Sequence, residues 1–160
     1  MKLRLVVLAL ASLLLTGCLY VPDGARVIVP GNGCASDGSC PFGEQTAVNF
    51  YWAPTREVVL APNQSLRVLV HELCHAHQHG VVVNELGIEP DIGLTEWYRT
   101  TEGLAFDVIA TATQPRPWLY LSYNTNSEDF ATSCSLWFVD PDALRALSPE
   151  RAAFMEGILK

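Results

Sequence analysis

Hydrophobic residues follow four patterns along the chain, and each predicts a different kind of structure. Leu5–Leu15 is a nearly unbroken apolar block. Residues 19–45 are instead rich in Gly, Pro, Asp and Ser, a loop composition, with one short strand-like run from Arg26 to Val29. Ala47–Trp52 is aromatic and loosely alternating, and Glu57–Leu60 is β-branched. Pro54 separates the two and Pro62 ends the second, so both read as short strands. The period then becomes helical. Leu66–Ala76 is largely apolar, has Asn63 and Ser65 ahead of it as candidate caps, and is predicted to lie in a helix that stops at Gly80.

After a linker with Gly87, Pro90 and Gly93, apolar positions recur at three and four (Trp97, Leu104, Ala105, Val108, Ile109, Ala112). This predicts a second helix from Thr95 to Thr113, halted by Pro115. Pro115–Tyr123 is a Pro/aromatic loop. A third helix begins near Ser127, with Glu128 and Asp129 in its first turn where acidic groups suit the helix dipole, and runs to Val139. Pro141 starts a short helical turn, and Ser148-Pro149 (cap, then Pro at the first helical position) opens a last helix that reaches Lys160. The class expected is α+β, mostly helical with a small N-terminal β-sheet.

The apolar block changes the reading of the N-terminus. Lys2 and Arg4 precede it, it is too short to span a bilayer comfortably, and Leu15-Thr16-Gly17-Cys18 closes it. This order resembles the bacterial lipobox, which implies cleavage before Cys18 and a lipid on its thiol, since more than one acyl chain anchors firmly. The domains expected are therefore a signal peptide over 1–17, a lipidated tether with a cysteine-closed loop over 18–45, and a folded domain over 46–160. The location expected is a bacterial cell envelope, at an outer membrane facing the periplasm or at the cell surface. Leu19, rather than Asp, after the cysteine favours the outer membrane in a Gram-negative cell.

Charge and cysteines narrow the picture further. Cleavage leaves 160 − 17 = 143 residues, enough for one compact domain, expected to be a monomer. Loss of Lys2 and Arg4 takes the formal charge from −7 to −9 and leaves Lys160 as the only lysine. With no basic cluster, nucleic acid is not an expected partner. Cys34 and Cys40 bracket a Gly/Ser/Asp loop and pair locally. That leaves Cys74 and Cys134, which either bridge or stay as buried thiols.

The chemistry lies in His71-Glu72-Leu73-Cys74-His75. Two histidines four apart sit about 40° from each other and one turn up a helix, so both imidazoles can reach one ion. Glu72 projects beside that ion, where it can take a proton from a bound water. Two zinc ligands and a general base on one helix are the content of H-E-x-x-H. A catalytic zinc needs a third protein ligand. His79 lies about 12 Å up the axis from His71, too far for one ion. His77 points to the other side, and position 81, where a metzincin carries histidine, is Val. The third ligand is then a carboxylate on a later helix. Glu102 and Glu128 compete, each with an Ala three residues on that permits close packing, and spacing does not separate them.

From His71 onward the chain resembles the gluzincin-type metallopeptidase domain of the anthrax lethal factor family. In that family a ligand Glu precedes two residues and an Ala, as in Glu128-Asp129-Phe130-Ala131. A Ser-Tyr pair comes shortly before it, matched by Ser122-Tyr123, and a final helix begins with Pro and carries an aromatic, matched by Pro149 and Phe154. The family's second Glu, four after the ligand, is Thr132 here. The resemblance implies a zincin-like fold and a zinc endopeptidase. His71, His75 and Glu128 would be its metal ligands, Glu72 its base, and Tyr123 (or Tyr120) a donor to the oxyanion. It also implies Zn²⁺ as cofactor and a peptide or protein as substrate, with the membrane reached through Cys18. His71–Gln78 followed by Glu102-Gly103-Leu104-Ala105 also resembles other zincins in which that Glu binds metal. Glu102 is here given a supporting place behind the ligands. Two other classes stay open: a non-catalytic zinc-binding envelope lipoprotein that keeps the fold, and a metal chaperone using His71, His75, His77 and His79.

Overall fold

The computed structural model describes residues 23–43, 48–91, 94–113 and 125–159, and their fold is mixed α+β. The apolar strands form a three-stranded sheet of β1 (Arg26–Ile28), β2 (Phe50–Trp52) and β3 (Glu57–Val59), in the order β1-β3-β2. β1 runs parallel to β3, with Arg26 opposite Glu57. β2 runs antiparallel to β3, with Tyr51 opposite Val58 and Phe50 opposite Val59. Alternation then sorts the side chains between two faces. Tyr51 and Val58 join the main core, while Phe50, Trp52 and Val59 form a smaller cluster with Ala35 on the other face.

The disulfide loop Cys34–Cys40 covers that second face. Its Ser36 N–H donates to the buried Glu57 carboxylate at 2.8 Å, which Arg26 and Thr55 also bind, and Trp52 Nε1–H donates to Asp37 Oδ2 at 3.0 Å. Burial raises the pKa of Glu57, but these donors more than offset it, and its carboxyl is held below the usual range.

Helix α1 (Leu66–Leu86) carries the histidine motif, with Ser65 as its cap: the Ser65 hydroxyl accepts the Val68 N–H at 3.3 Å. The expected stop at Gly80 is wrong. The helix passes through Gly80 and ends at Gly87, whose positive φ of 66° forms the left-handed cap. A mid-helix glycine costs about 1 kcal/mol relative to alanine. Burial of Val81 and Val82 in the core, the two residues that follow it, outweighs that.

The single helix expected over Thr95–Thr113 is two elements. A 3-10 turn, Thr95–Arg99, is followed by α2 (Thr101–Ala112), with Thr100 extended between them and accepting the Gly103 N–H at 3.0 Å. Gly103 is needed there, because a Cβ would stand 1.9 Å from the Trp97 carbonyl oxygen. The break lets Trp97 drop fully into the core, its ring 4.9 Å from that of Phe130. Helix α3 (Asn126–Val139) is capped by Thr125. It is followed by α4 (Pro141–Leu147) and by α5 (Pro149–Ile158), which is capped by Ser148 and stops short of Lys160.

Two devices lock α3 in place. Cys74 on α1 and Cys134 on α3, both fully buried, form a disulfide. Closing a 60-residue separation is worth about 4 kcal/mol through the unfolded chain. Arg151 on α5 donates its guanidinium fork to Asp129 on α3, Nε to Oδ1 at 2.9 Å and Nη2 to Oδ2 at 2.6 Å, with both side chains fully buried. Its remaining nitrogen, Nη1, reaches Ser148 Oγ at 3.3 Å and Thr113 Oγ1 at the end of α2.

Candidate metal centre

The helical period sets the first half of the site. His71 and His75 lie one turn apart on α1 with ring centroids 4.9 Å apart, and both present Nε2 to the head of α3. There Glu128 Oε2 is 3.2 Å from His71 Nε2, and Glu128 Oε1 is 3.3 Å from His75 Nε2. One ligand atom from each of the three residues lies within 4.8 Å of the other two, close enough for one ion to reach all three. The three residues form a group that can hold a metal ion, and no other group of three His, Cys, Asp or Glu side chains converges among the described residues.

Glu102, the competing carboxylate, lies elsewhere. Both its oxygens are 3.1 Å from His77 Nε2, on the side of α1 where the His77 ring stacks on Phe130 at 5.9 Å. His79 is fully buried, with Nδ1 3.0 Å from the Tyr51 hydroxyl and Nε2 2.9 Å from Glu89. His77 and His79 are therefore engaged away from the site, which leaves a four-histidine metal cluster without its second pair. Cys18, Tyr120 and Tyr123 lie outside the described residues.

Three side chains that the sequence did not single out orient the candidate ligands. His75 Nδ1 is 2.8 Å from Gln78 Oε1, an acceptor, so Nδ1 keeps its proton and Nε2 is the nitrogen that would give up a proton to bind a metal. The same oxygen accepts the Ser127 hydroxyl at 3.0 Å, and the Ser127 N–H donates to the Tyr98 hydroxyl at 2.8 Å. One amide thus ties His75 on α1 to the residue next to Glu128. Gln78 follows His75 by three, a spacing that shares a helix face, so it was findable. Tyr98 and Ser127 had no local signal.

Glu72 is buried beside the cluster and accepts the backbone N–H of Tyr51 from β2. Burial raises its pKa, partly opposed by the neighbouring His75 and His71. Burial likewise pushes Glu128 up, but hydrogen bonds from His71 and His75 win and hold it far below the carboxylate range. His75 is drawn down by burial, yet Glu128, Glu72 and Gln78 together push it up to about 9.

No family model, curated protein or solved structure matches this chain. The site is therefore read from its own geometry. A cleft of about 560 Å³ opens over it, lined by His71, Glu72, His75 and Glu128 among others. Pro41, Phe42, Val48, Phe50, Trp52 and Leu94 contribute apolar walls.

Two measurements check the assignment of ligands. Glu128→Ala is expected to weaken zinc binding more than about 100-fold, beyond the loss from removing an outer partner, whereas Glu102→Ala changes it by less than about threefold. Equal losses would return the choice to open. The second test is pH. With a pKa of about 9, His75 carries a proton at neutrality that zinc must displace. Zinc affinity is thus expected to rise with pH, about tenfold per unit between pH 6 and 8. Calorimetry in two buffers of different ionisation heat would show about one proton released at pH 7. A flat profile would contradict this.

Proposed function

We propose that the protein is a zinc-dependent endopeptidase of the gluzincin type, with a zincin-like fold, held in a bacterial envelope by lipid on Cys18. One observation carries the reading. A carboxylate 57 residues from His71 meets both imidazoles of the motif while a buried Glu72 stands beside them. A module that only stores or senses metal has no use for a buried acid at that point, so Glu72 favours an enzyme over a binding module. Zinc is favoured by the donor set, two imidazole nitrogens and one carboxylate oxygen within 4.8 Å of one another beside an open cleft.

When bound, the ion supplies Lewis-acid polarisation of the scissile carbonyl and of the attacking water. The chain's own groups do the rest. Glu72 accepts the water's proton and then delivers it to the leaving amine; burial, by raising its pKa, suits it to both halves of that transfer. Gln78 fixes the tautomer of His75, and the Asp129–Arg151 pair holds the helix end from which Glu128 projects. Tyr123, or Tyr120 on the same segment, is the donor assigned to the oxyanion.

The test is direct. Full-length protein carrying one zinc per chain is expected to cleave an unfolded polypeptide, to lose that activity on chelation, and to regain it with one equivalent of zinc. A fully loaded chain that cleaves nothing would leave the non-catalytic zinc-binding lipoprotein as the better reading.

A further inference from the structure

One wall of the cleft belongs to a part of the chain with no place in the hydrolytic chemistry. We propose that the segment closed by the Cys34–Cys40 disulfide is a specificity element, which sets Phe42 at the rim of the cleft as one side of a site for a bulky apolar side chain of the substrate. That the ligand is a peptide rests on the peptidase reading; that its side chain is apolar rests on the walls.

Phe42 is 44% exposed, a large apolar surface left in water. It is nevertheless held in position. Its ring meets Phe50 edge-on at 5.6 Å, and Phe50 meets Trp52 edge-on at 6.3 Å, so three aromatics form a ladder from the loop onto β2. The loop beneath is fastened by its disulfide, by Trp52 on Asp37, by Ser36 on Glu57, and by Arg26 on the Ser36 hydroxyl at 2.8 Å. Four fastenings on a short surface loop hold an exposed ring over the same cleft that holds His71, Glu72 and Glu128.

Charge selects the class of side chain. Among the described residues no Lys or Arg lines the cleft, so along its apolar walls an acidic side chain finds no partner. Pro41, Val48 and Leu94 extend the apolar surface on which a Phe or Leu side chain can be buried. Two carboxylates of the cleft could draw a basic side chain, but Glu128 is taken up by His71 and His75, and Glu72 is buried beside them and is replaced by Gln in the test below.

Equilibrium binding tests this without requiring turnover. Full-length zinc-loaded Glu72→Gln protein is titrated with fluorescent Gly/Ser octapeptides that carry one central Phe, Leu, Ala, Asp or Lys. The Phe and Leu peptides are expected to bind at least about tenfold more tightly than the other three. Phe42→Ala in the same background is expected to reduce that advantage to within about threefold. Zinc content and binding of the Ala peptide should be unchanged. Cys34→Ser with Cys40→Ser, which frees the loop, should act in the same direction. Equal affinities across the series, no binding by any peptide, or a silent Phe42→Ala would each overturn the proposal. Selective binding by a protein whose native form cleaves nothing would instead uphold this site and defeat the peptidase reading.

Discussion

Glu72→Gln is expected to lower peptide cleavage by about 10²–10⁴-fold, the range for a lost general acid–base, while zinc stays near one per chain. Glutamine keeps the shape of glutamate, and its carbonyl oxygen can still accept the Tyr51 N–H. It cannot take a proton. The burial that raises the pKa of Glu72 is a cost the fold bears for an ionised acid, and a neutral amide removes it. The variant should therefore be no less stable than the native protein. The loss should fall on kcat with KM little changed, because the proton transfer occurs only on the way to the transition state. Rates, zinc content and thermal stability measured together decide the matter. Activity within a few-fold of native in a zinc-loaded Glu72→Gln protein would remove Glu72 from the mechanism.

Arg151→Leu is expected to destabilise the protein by about 3–5 kcal/mol, because it leaves Asp129 as a buried charge without its partner. That is a large part of the 5–15 kcal/mol typical of a whole domain. Arg151 also joins the ends of α2 and α5 to α3 through Thr113 and Ser148, so its loss loosens three helices. Asp129 directly follows Glu128, and the zinc site should weaken as well. Adding Asp129→Asn to Arg151→Leu removes the stranded charge and is expected to recover part of the stability. Urea unfolding of the metal-free variants supplies the energies, and zinc titration under native conditions supplies the coupling. A loss below about 1 kcal/mol would show that the pair is not the fastening described.

Much of the helical content was legible because helix starts are local events. Ser65, Ser148 and Pro149 announced two helices within a residue or so of where they begin. Both errors came from the core overriding a local signal. Gly80 is a common helix end, yet Val81 and Val82 bury against the core only if α1 continues. The apolar spacing after Thr95 suited one helix, yet Trp97 reaches Phe106 and Phe130 only if the chain breaks at Thr100. No window of a dozen residues contains either fact.

The site divides in the same way. The sequence alone determined that His71, Glu72 and His75 share one stretch of helix, since 3.6 residues per turn places them there. It also determined that Cys34 pairs with Cys40 across a short loop. Spacing could not separate Glu102 from Glu128, because both lie in the first turn of a helix with an alanine three residues on, and only the family resemblance favoured Glu128. Tertiary structure brings Glu128, and not Glu102, to the two imidazoles. His77, facing the far side of α1, took Glu102, while the Cys74–Cys134 disulfide and the Arg151–Asp129 pair drew the head of α3 onto the motif. Backbone geometry dictates neighbours only within a turn or two. A partner 57 residues away is selected by how the whole core packs.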